Sequence, residues 1–204
     1  NGEIRVPLDE DSVREEGRWL AKEGVEAVAI SLMHSYANPI HEKRIAEILR
    51  DQMPSNTFIS CSYEVLPEIR EYERTSTTVV NALLGPIVSQ YLTVLGTRLH
   101  KLGVSKPIQI MQSNGGLMSA RLASESPARI LESGPAAGVI AAAWVARKVG
   151  VENIITLDMG GTTAKTAIIE DGEPAKTTEY EVGAGINLSS RLLRGAGYAI
   201  KLPF

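Results

Sequence analysis

The residues best suited to chemistry lie in one short run, Leu157-Asp158-Met159-Gly160-Gly161-Thr162-Thr163-Ala164-Lys165. An Asp closes an apolar stretch. Two glycines follow, then two hydroxyls, then a lysine. Glycines let backbone N–H groups turn toward a phosphate with no Cβ in the way. The hydroxyls of Thr162 and Thr163 can donate to phosphate oxygens, and Lys165 can meet them as a point charge. Asp158 can hold Mg²⁺, through water, because that ion gives up its hydration reluctantly. The competing reading is an ordinary glycine hairpin whose Asp satisfies the turn, and the nine residues alone leave the two readings level.

The elements around this run decide what kind of loop it is. Asn153 to Asp158 reads as a strand and Thr166 to Glu170 as the next, so the run leads from strand to strand. Walker and dinucleotide loops lead from strand to helix, which excludes both. Asp171-Gly172 is a strong hairpin signal, with Glu173 to Val182 as the returning partner. Upstream, Ser133-Gly134-Pro135 opens a helix of small residues that ends at Gly150 and permits close approach to another element.

Earlier in the chain, Gly2 to Leu8 suggests an edge strand. Asp9 or Asp11 can cap a helix that stops at Gly24. Val25 to Leu32 suits a buried parallel strand, and Asn38-Pro39 opens a second helix that Pro54 stops. Phe58 to Val65 is the next strand. A helical pattern then runs from Glu68 to Leu102, and Gly85-Pro86 predicts a kink or a split. Pro107 to Gln112 is a short strand that leads into the sharp turn Ser113-Asn114-Gly115-Gly116, which either presents N–H groups to a ligand or is a plain turn. Ala128 to Glu132 is a last strand candidate before the small-residue helix. Strands alternate with helices to residue 150 and then give way to strand, turn, strand, which places a domain boundary there: 1–150 and 151–204.

Composition narrows the classes. The 204 residues are 44% apolar and 22% charged, a globular balance. A net charge of −3 with no basic stripe argues against nucleic acid and anionic membranes. No apolar run of bilayer length stands out; the most apolar stretch, Val139 to Val149, contains Arg147 and Lys148. A lone cysteine, Cys61, forms no internal disulfide and fits a cytoplasmic setting, as does the absence of a signal-peptide pattern. Cys61 has no identifiable base beside it and reads as a buried, inert thiol. His34, His41 and His100 lack metal-ligand spacing, although His34 sits just past a strand end, where α/β sheets often hold ligands. The acidic run Glu64, Glu68, Glu71 and Glu73, with Arg70 and Arg74 interleaved, reads as a solvated helix face. Both ends of the chain look cut.

Five segments together resemble the hydantoinase A/5-oxoprolinase family of the actin-like ATPase superfamily, including its N-methylhydantoinase and acetone carboxylase types. They are His34-Ser35-Tyr36-Ala37-Asn38-Pro39, the run from Leu66 to Ala82, Met111-Gln112-Ser113-Asn114-Gly115-Gly116-Leu117-Met118, Ser133-Gly134-Pro135-Ala136-Ala137-Gly138-Val139, and Asp158-Met159-Gly160-Gly161-Thr162. The resemblance implies a truncated actin-like, ribonuclease H-like α/β fold. Residues 1–150 would be the later part of the first lobe with its crossing helix, and 151–204 the opening hairpin unit of the second. It implies ATP and Mg²⁺ as cofactors. Asp158 would be the catalytic and metal residue, Gly160, Gly161, Thr162, Thr163 and Lys165 would bind the nucleotide, and Ser113, Asn114, Gly115 and Gly116 would lie near the substrate. It brings Glu71, Arg74 and Thr75 toward the site.

The implied function is part of an ATP-dependent cyclic-amide hydrolase that phosphorylates its substrate before ring opening. The fragment alone would be inactive and would work with a B-type hydantoinase subunit or domain. The alternatives are a ketone carboxylase subunit or another actin-like phosphotransferase, and a non-catalytic assembly subunit. The last is kept open by Lys165, where the resemblance more often places an Asp.

Overall fold

The computed structural model describes residues 2–161, 163–176, 179–182 and 198–201, the last two segments by their backbone. The first unit is a parallel pair flanked by helices. Strand β1 (Ala27–Ile30) lies beside β2 (Phe58–Cys61), with Ala27 opposite Phe58 and Ile30 opposite Cys61. Helices α1 (Glu10–Lys22) and α2 (Ile40–Gln52) pack against one another. Asp9 caps α1 by accepting from the Ser12 N–H at 3.1 Å, and Gly24 leaves the helix at φ +70°. Ile30, Ala46, Leu49, Met53 and Cys61 form the core of this unit. The expected strand at Gly2 to Leu8 is absent. Pro7 can donate nothing to a ladder, and Asn38 instead donates to the Gly2 carbonyl at 2.6 Å.

Glu10 and Arg44 join α1 to α2 through two hydrogen bonds of 2.7 and 2.9 Å. Arg44 first, then Arg14, hold the Glu10 carboxyl down at about 2, below its ordinary 4.5. A depressed carboxyl stabilises the fold fully above its unfolded value and loses that contribution as pH falls through the folded one. The α1–α2 contact is therefore expected to hold above pH 4.5 and loosen toward pH 2. Acid titration followed by hydrogen exchange in α1 checks this, and Glu10→Gln should flatten the dependence.

The strand expected over Phe58 to Val65 ends at Cys61 and turns into a short helix, α3 (Ser62–Val65). The cause is Glu42, whose carboxylate accepts from the Ser62 hydroxyl at 2.7 Å and the Tyr63 N–H at 3.2 Å and draws the chain off the strand path.

Helix α4 (Glu71–Lys101) runs as one helix through Pro86 rather than as two. It lies along β1, β2, α5 (Ala120–Glu125) and the 3-10 turn Pro127–Ile130, and that packing outweighs the lost proline donor. By length and composition it is the one helix among the described residues able to cross a membrane, which corrects the expectation that no segment reaches that length. It nevertheless buries Arg74, Thr77, Thr78 and Asn81 against the rest of the fold. Its apolar residues surround it: Val80 and Leu92 are buried, while Val79, Leu83, Ile87 and Tyr91 are exposed.

At Gly85 a Cβ would stand 2.3 Å from Cγ and Cδ1 of Phe58. Rotating the ring about χ2 does not move Cγ. Gly85→Ala is therefore expected to destabilise by about 1–3 kcal/mol, although alanine is the better helix former. A shift of the urea midpoint to higher concentration would contradict this.

Antiparallel strands β3 (Gln109–Met111) and β4 (Leu117–Ser119) follow. Met118 joins Leu92 and Ala123 in a second small core. The strand expected at Ala128 to Glu132 is the 3-10 turn instead. Pro127 opens it, and Asn81 pins it by accepting from the Ala128 N–H at 3.1 Å. Helix α6 (Ser133–Lys148) leads to β5 (Ile154–Met159), β6 (Ala164–Glu170) and β7 (Glu173–Pro174), an antiparallel sheet. Asp171 at φ +51° and Gly172 at φ +77° form the expected two-residue turn. Its returning strand is only two residues long; β8 (Glu179–Val182) pairs with β9 (Tyr198–Lys201) instead. The architecture is thus mixed α/β, with parallel strand–helix units followed by an antiparallel hairpin sheet.

Candidate functional site

Asp158 lies at the C-terminal end of β5 and is exposed. Its cross-strand partner is Lys165. Between them the Gly160 N–H donates to the Thr163 carbonyl at 3.0 Å and closes a tight turn. Thr163 is exposed, and Thr162 lies outside the described residues. Neither Gly160 nor Gly161 is in the left-handed region. A Cβ on Gly161 would meet nothing within 4 Å, and one on Gly160 only the Thr163 carbonyl oxygen at 4.0 Å. Internal packing among the described residues therefore demands neither glycine. The open space beside an exposed carboxylate fits a polyphosphate cradle. It fits Mg²⁺ only through water, because Asp158 is the single carboxylate of the turn and no group of three or more metal-ligating side chains occurs among the described residues.

Lys165 is not a free surface lysine. Its Nζ contacts the carboxylate of Glu132, the residue that immediately precedes α6. The Glu132 N–H in turn donates to Ser113 Oγ at 3.3 Å. Ser113, Glu132 and Lys165 thus form a chain from the β3–β4 turn through the head of α6 to the Asp158 hairpin. Glu132 is the residue that motif reading missed. It stands next to Ser133-Gly134-Pro135, and the pairing lysine is 33 positions away, so no local pattern signals it.

This pair also gives position 165 a structural role. An Asp there would face Glu132 and lie across the ladder from Asp158, three carboxylates together. Lys165→Asp is accordingly expected to destabilise by about 1–2 kcal/mol, read as a lower Tm, from one lost ion pair and one new repulsion.

The Ser113-Asn114-Gly115-Gly116 turn uses its own donors. The Ser113 N–H and hydroxyl both donate to the Arg129 carbonyl, at 2.8 and 2.9 Å. The Gly115 N–H donates to Gln112, and that of Gly116 to Asn114 Oδ1 at 2.8 Å. Gly115 sits at φ +82°, and a Cβ there would stand 2.1 Å from Cδ1 of Ile140 on α6. The close approach to α6 is therefore made at Gly115, while Cβ atoms at Gly134 and Gly138 would meet open space.

A separate cavity of about 410 Å³ lies against β2, lined by Phe58, Ser60, Cys61, Glu64, Asn81 and Glu125 among others. Burial first, then the nearby Glu64 and Glu42 carboxylates, push the Cys61 thiol up to about 12. It stays protonated and unreactive at neutral pH.

A mixed α/β chain with these segments in this order belongs to the hydantoinase/oxoprolinase family. The family's hydantoinase/oxoprolinase region matches residues 74–204 and its N-terminal region matches residues 1–53. The caprolactamase alpha subunit of Pseudomonas jessenii is 39% identical over 166 residues, covering 81% of this chain and 24% of that one. The crystal structure of that ATP-dependent caprolactamase superposes with a TM-score of 0.73 over 82% of this chain and 24% of its own. A nucleotide-free structure of acetone carboxylase, an enzyme of ATP-dependent acetone carboxylation, gives 0.77 over 98% of this chain and 26% of its own, at 28% identity. The 5-oxoprolinase of Saccharomyces cerevisiae is 35% identical over 188 residues, 92% of this chain and 14% of that protein. The chain thus spans between about a seventh and a quarter of the length of these relatives.

Proposed function

We propose that this chain is the part of an ATP-dependent cyclic-amide hydrolase that holds the nucleotide's phosphates. The observation that carries the reading is the Asp158 turn, whose two glycines leave open space beside an exposed carboxylate. Identity to a caprolactamase subunit and a 5-oxoprolinase, both acting on ring amides by name, supports the substrate class.

In this reading residues 1–150 belong to one lobe and 151–204 open the next. Gly160 and Gly161 leave room for the phosphates, while the Gly160 N–H closes the turn onto the Thr163 carbonyl. The Thr163 hydroxyl is assigned to the phosphates, as is that of Thr162, which lies outside the described residues. Lys165, fixed by Glu132, sets positive charge at the edge of the turn. Asp158 would hold Mg²⁺ through its water shell, and the ion would supply charge neutralisation on the phosphates. The γ-phosphoryl group passes to the amide oxygen as its bond to ADP breaks. Water then adds to the activated carbon, the ring C–N bond opens with a proton to nitrogen to leave an acyl phosphate, and a second water cleaves that to the carboxylate and inorganic phosphate. Most of the rate comes from positioning and electrostatic stabilisation. Ring opening takes place with a B-type subunit or domain, in keeping with the subunit status of the caprolactamase relative.

A second reading, a ketone carboxylase subunit, is favoured by the fuller structural overlap with acetone carboxylase. Release of ADP by the full-length protein and its partner, measured with 5-oxoproline, caprolactam and hydantoin against acetone and acetophenone with bicarbonate, separates the two. Lactam- or hydantoin-dependent ADP release is expected, and ketone-dependent release alone would overturn the first reading.

A further inference from the structure

We propose that the loop from Ser31 to Ala37 is a preorganised substrate-contact loop, with His34 as the side chain that meets the amide and Met33 as the side chain that packs on the ring methylenes. The ligand class rests on the cyclic-amide reading above. The loop itself is argued from its own geometry.

The loop leaves β1 at the carboxyl end of the parallel β1–β2 pair, the edge at which α/β sheets take up ligands. Two fully buried charges hold it. The Leu32 N–H donates to Glu42 Oε1 at 2.7 Å, and the Leu32 carbonyl accepts from Arg74 Nη2 at 2.7 Å. Glu42 comes from α2 and Arg74 from α4, and both are 0% exposed. The Ser35 hydroxyl pairs with that of Ser62 at 2.9 Å, and Ser62 donates to the same Glu42 carboxylate. Buried charges are costly to place and costlier to leave unpaired. Here two of them fix both polar groups of one loop residue.

His34 is then held at φ +60°. The left-handed region strains a residue with a Cβ, and such strain persists only where the surroundings impose it. Glycine would turn the chain there without that strain. The backbone of His34 is engaged, because its carbonyl accepts from the Ala37 N–H at 2.9 Å and the Asn38 N–H at 3.1 Å. Its imidazole is exposed, and among the described residues it makes no hydrogen bond. It stands edge-on to the Tyr36 ring at 6.1 Å, and that ring lies under the Arg74 guanidinium at 5.5 Å. Met33, 75% exposed, is beside it. On the same edge, Ser31 Oγ and Thr75 Oγ1 pair at 2.7 Å. A lactam offers one amide and a run of methylenes. An imidazole with a free donor and acceptor suits the first, and an adaptable thioether suits the second.

The test uses the full-length protein with its partner subunit and two variants. His34→Asn keeps a residue that tolerates the left-handed region and removes the imidazole. His34→Gly relaxes the backbone as well. Both are expected to raise the lactam KM at least tenfold with the ATP KM unchanged, and neither should lower Tm, since His34→Gly also relieves the backbone strain. In parallel, diethyl pyrocarbonate modification of His34, read by mass spectrometry, should slow at least fivefold with caprolactam or 5-oxoproline and not with ATP. A lactam KM within twofold of wild type in both variants, together with unprotected His34, would overturn the loop proposal while ADP release still supported the lactam reading. Protection by acetone or acetophenone, with no lactam-dependent ADP release, would overturn the ligand class instead. No protection by any of these compounds and no turnover would overturn both.

Discussion

Asp158→Asn in the full-length protein is expected to lower kcat for substrate-dependent ATP hydrolysis by about 10²–10³-fold, the usual loss when one preorganised electrostatic group is removed, or roughly 3–4 kcal/mol of barrier. The fold should not register the change. Asp158 is exposed at a strand end, and no hydrogen bond of its side chain is seen among the described residues. The Glu132–Lys165 contact that anchors the turn does not involve it. An unchanged Tm with a lost kcat is therefore the signature of a site that binds and orients. A kcat within threefold of wild type would make the turn an ordinary hairpin closure.

Arg74→Met should act in the opposite way, on the fold first. The guanidinium donates to the Glu68 carbonyl at 2.8 Å and the Leu32 carbonyl at 2.7 Å. Its Nε is buried and unpartnered among the described residues, and Glu71 stands 3.9 Å away. Methionine fills much of the same volume and leaves two carbonyls without donors. Breaking so buried an arrangement costs about 3–5 kcal/mol, a large share of the 5–15 kcal/mol that typically holds a domain together. Lysine should not restore it, since one ammonium cannot span two carbonyls as a planar fork does. Urea unfolding of the three proteins checks this; a loss below about 1 kcal/mol would show that water replaces the donors.

The contrast between these residues shows what a linear reading can reach. Asp158 and its glycines stand out as candidates because phosphate chemistry would use those types side by side, whereas Asp171-Gly172 marks a turn that the structure contains, because only a few residues turn twice at positive φ. Arg74 reads as a member of a solvated charged face, and no motif singles out Glu42, yet both are fully buried. The partner of each is a backbone group of Leu32, 42 and 10 positions away, and sequence spacing carries no trace of it. The same holds for Glu132 and Lys165. Helix α4 is apolar on every side, so its period marks no core face and says nothing of which half stays exposed. The continuation through Pro86 and the 3-10 turn at Pro127 were decided by packing, through Gly85 against Phe58 and Asn81 against Ala128.

The most direct measurement is calorimetric titration of MgATP into the full-length protein and its Gly161→Ala variant. The added methyl meets no described atom of the protein within 4 Å, and the residue is not at positive φ, so the fold should be indifferent to it. If phosphates occupy that space, Kd for ATP should rise at least tenfold while Tm stays unchanged. An equal Kd in both proteins would mean that the nucleotide binds elsewhere and that the Asp158 turn is not its cradle.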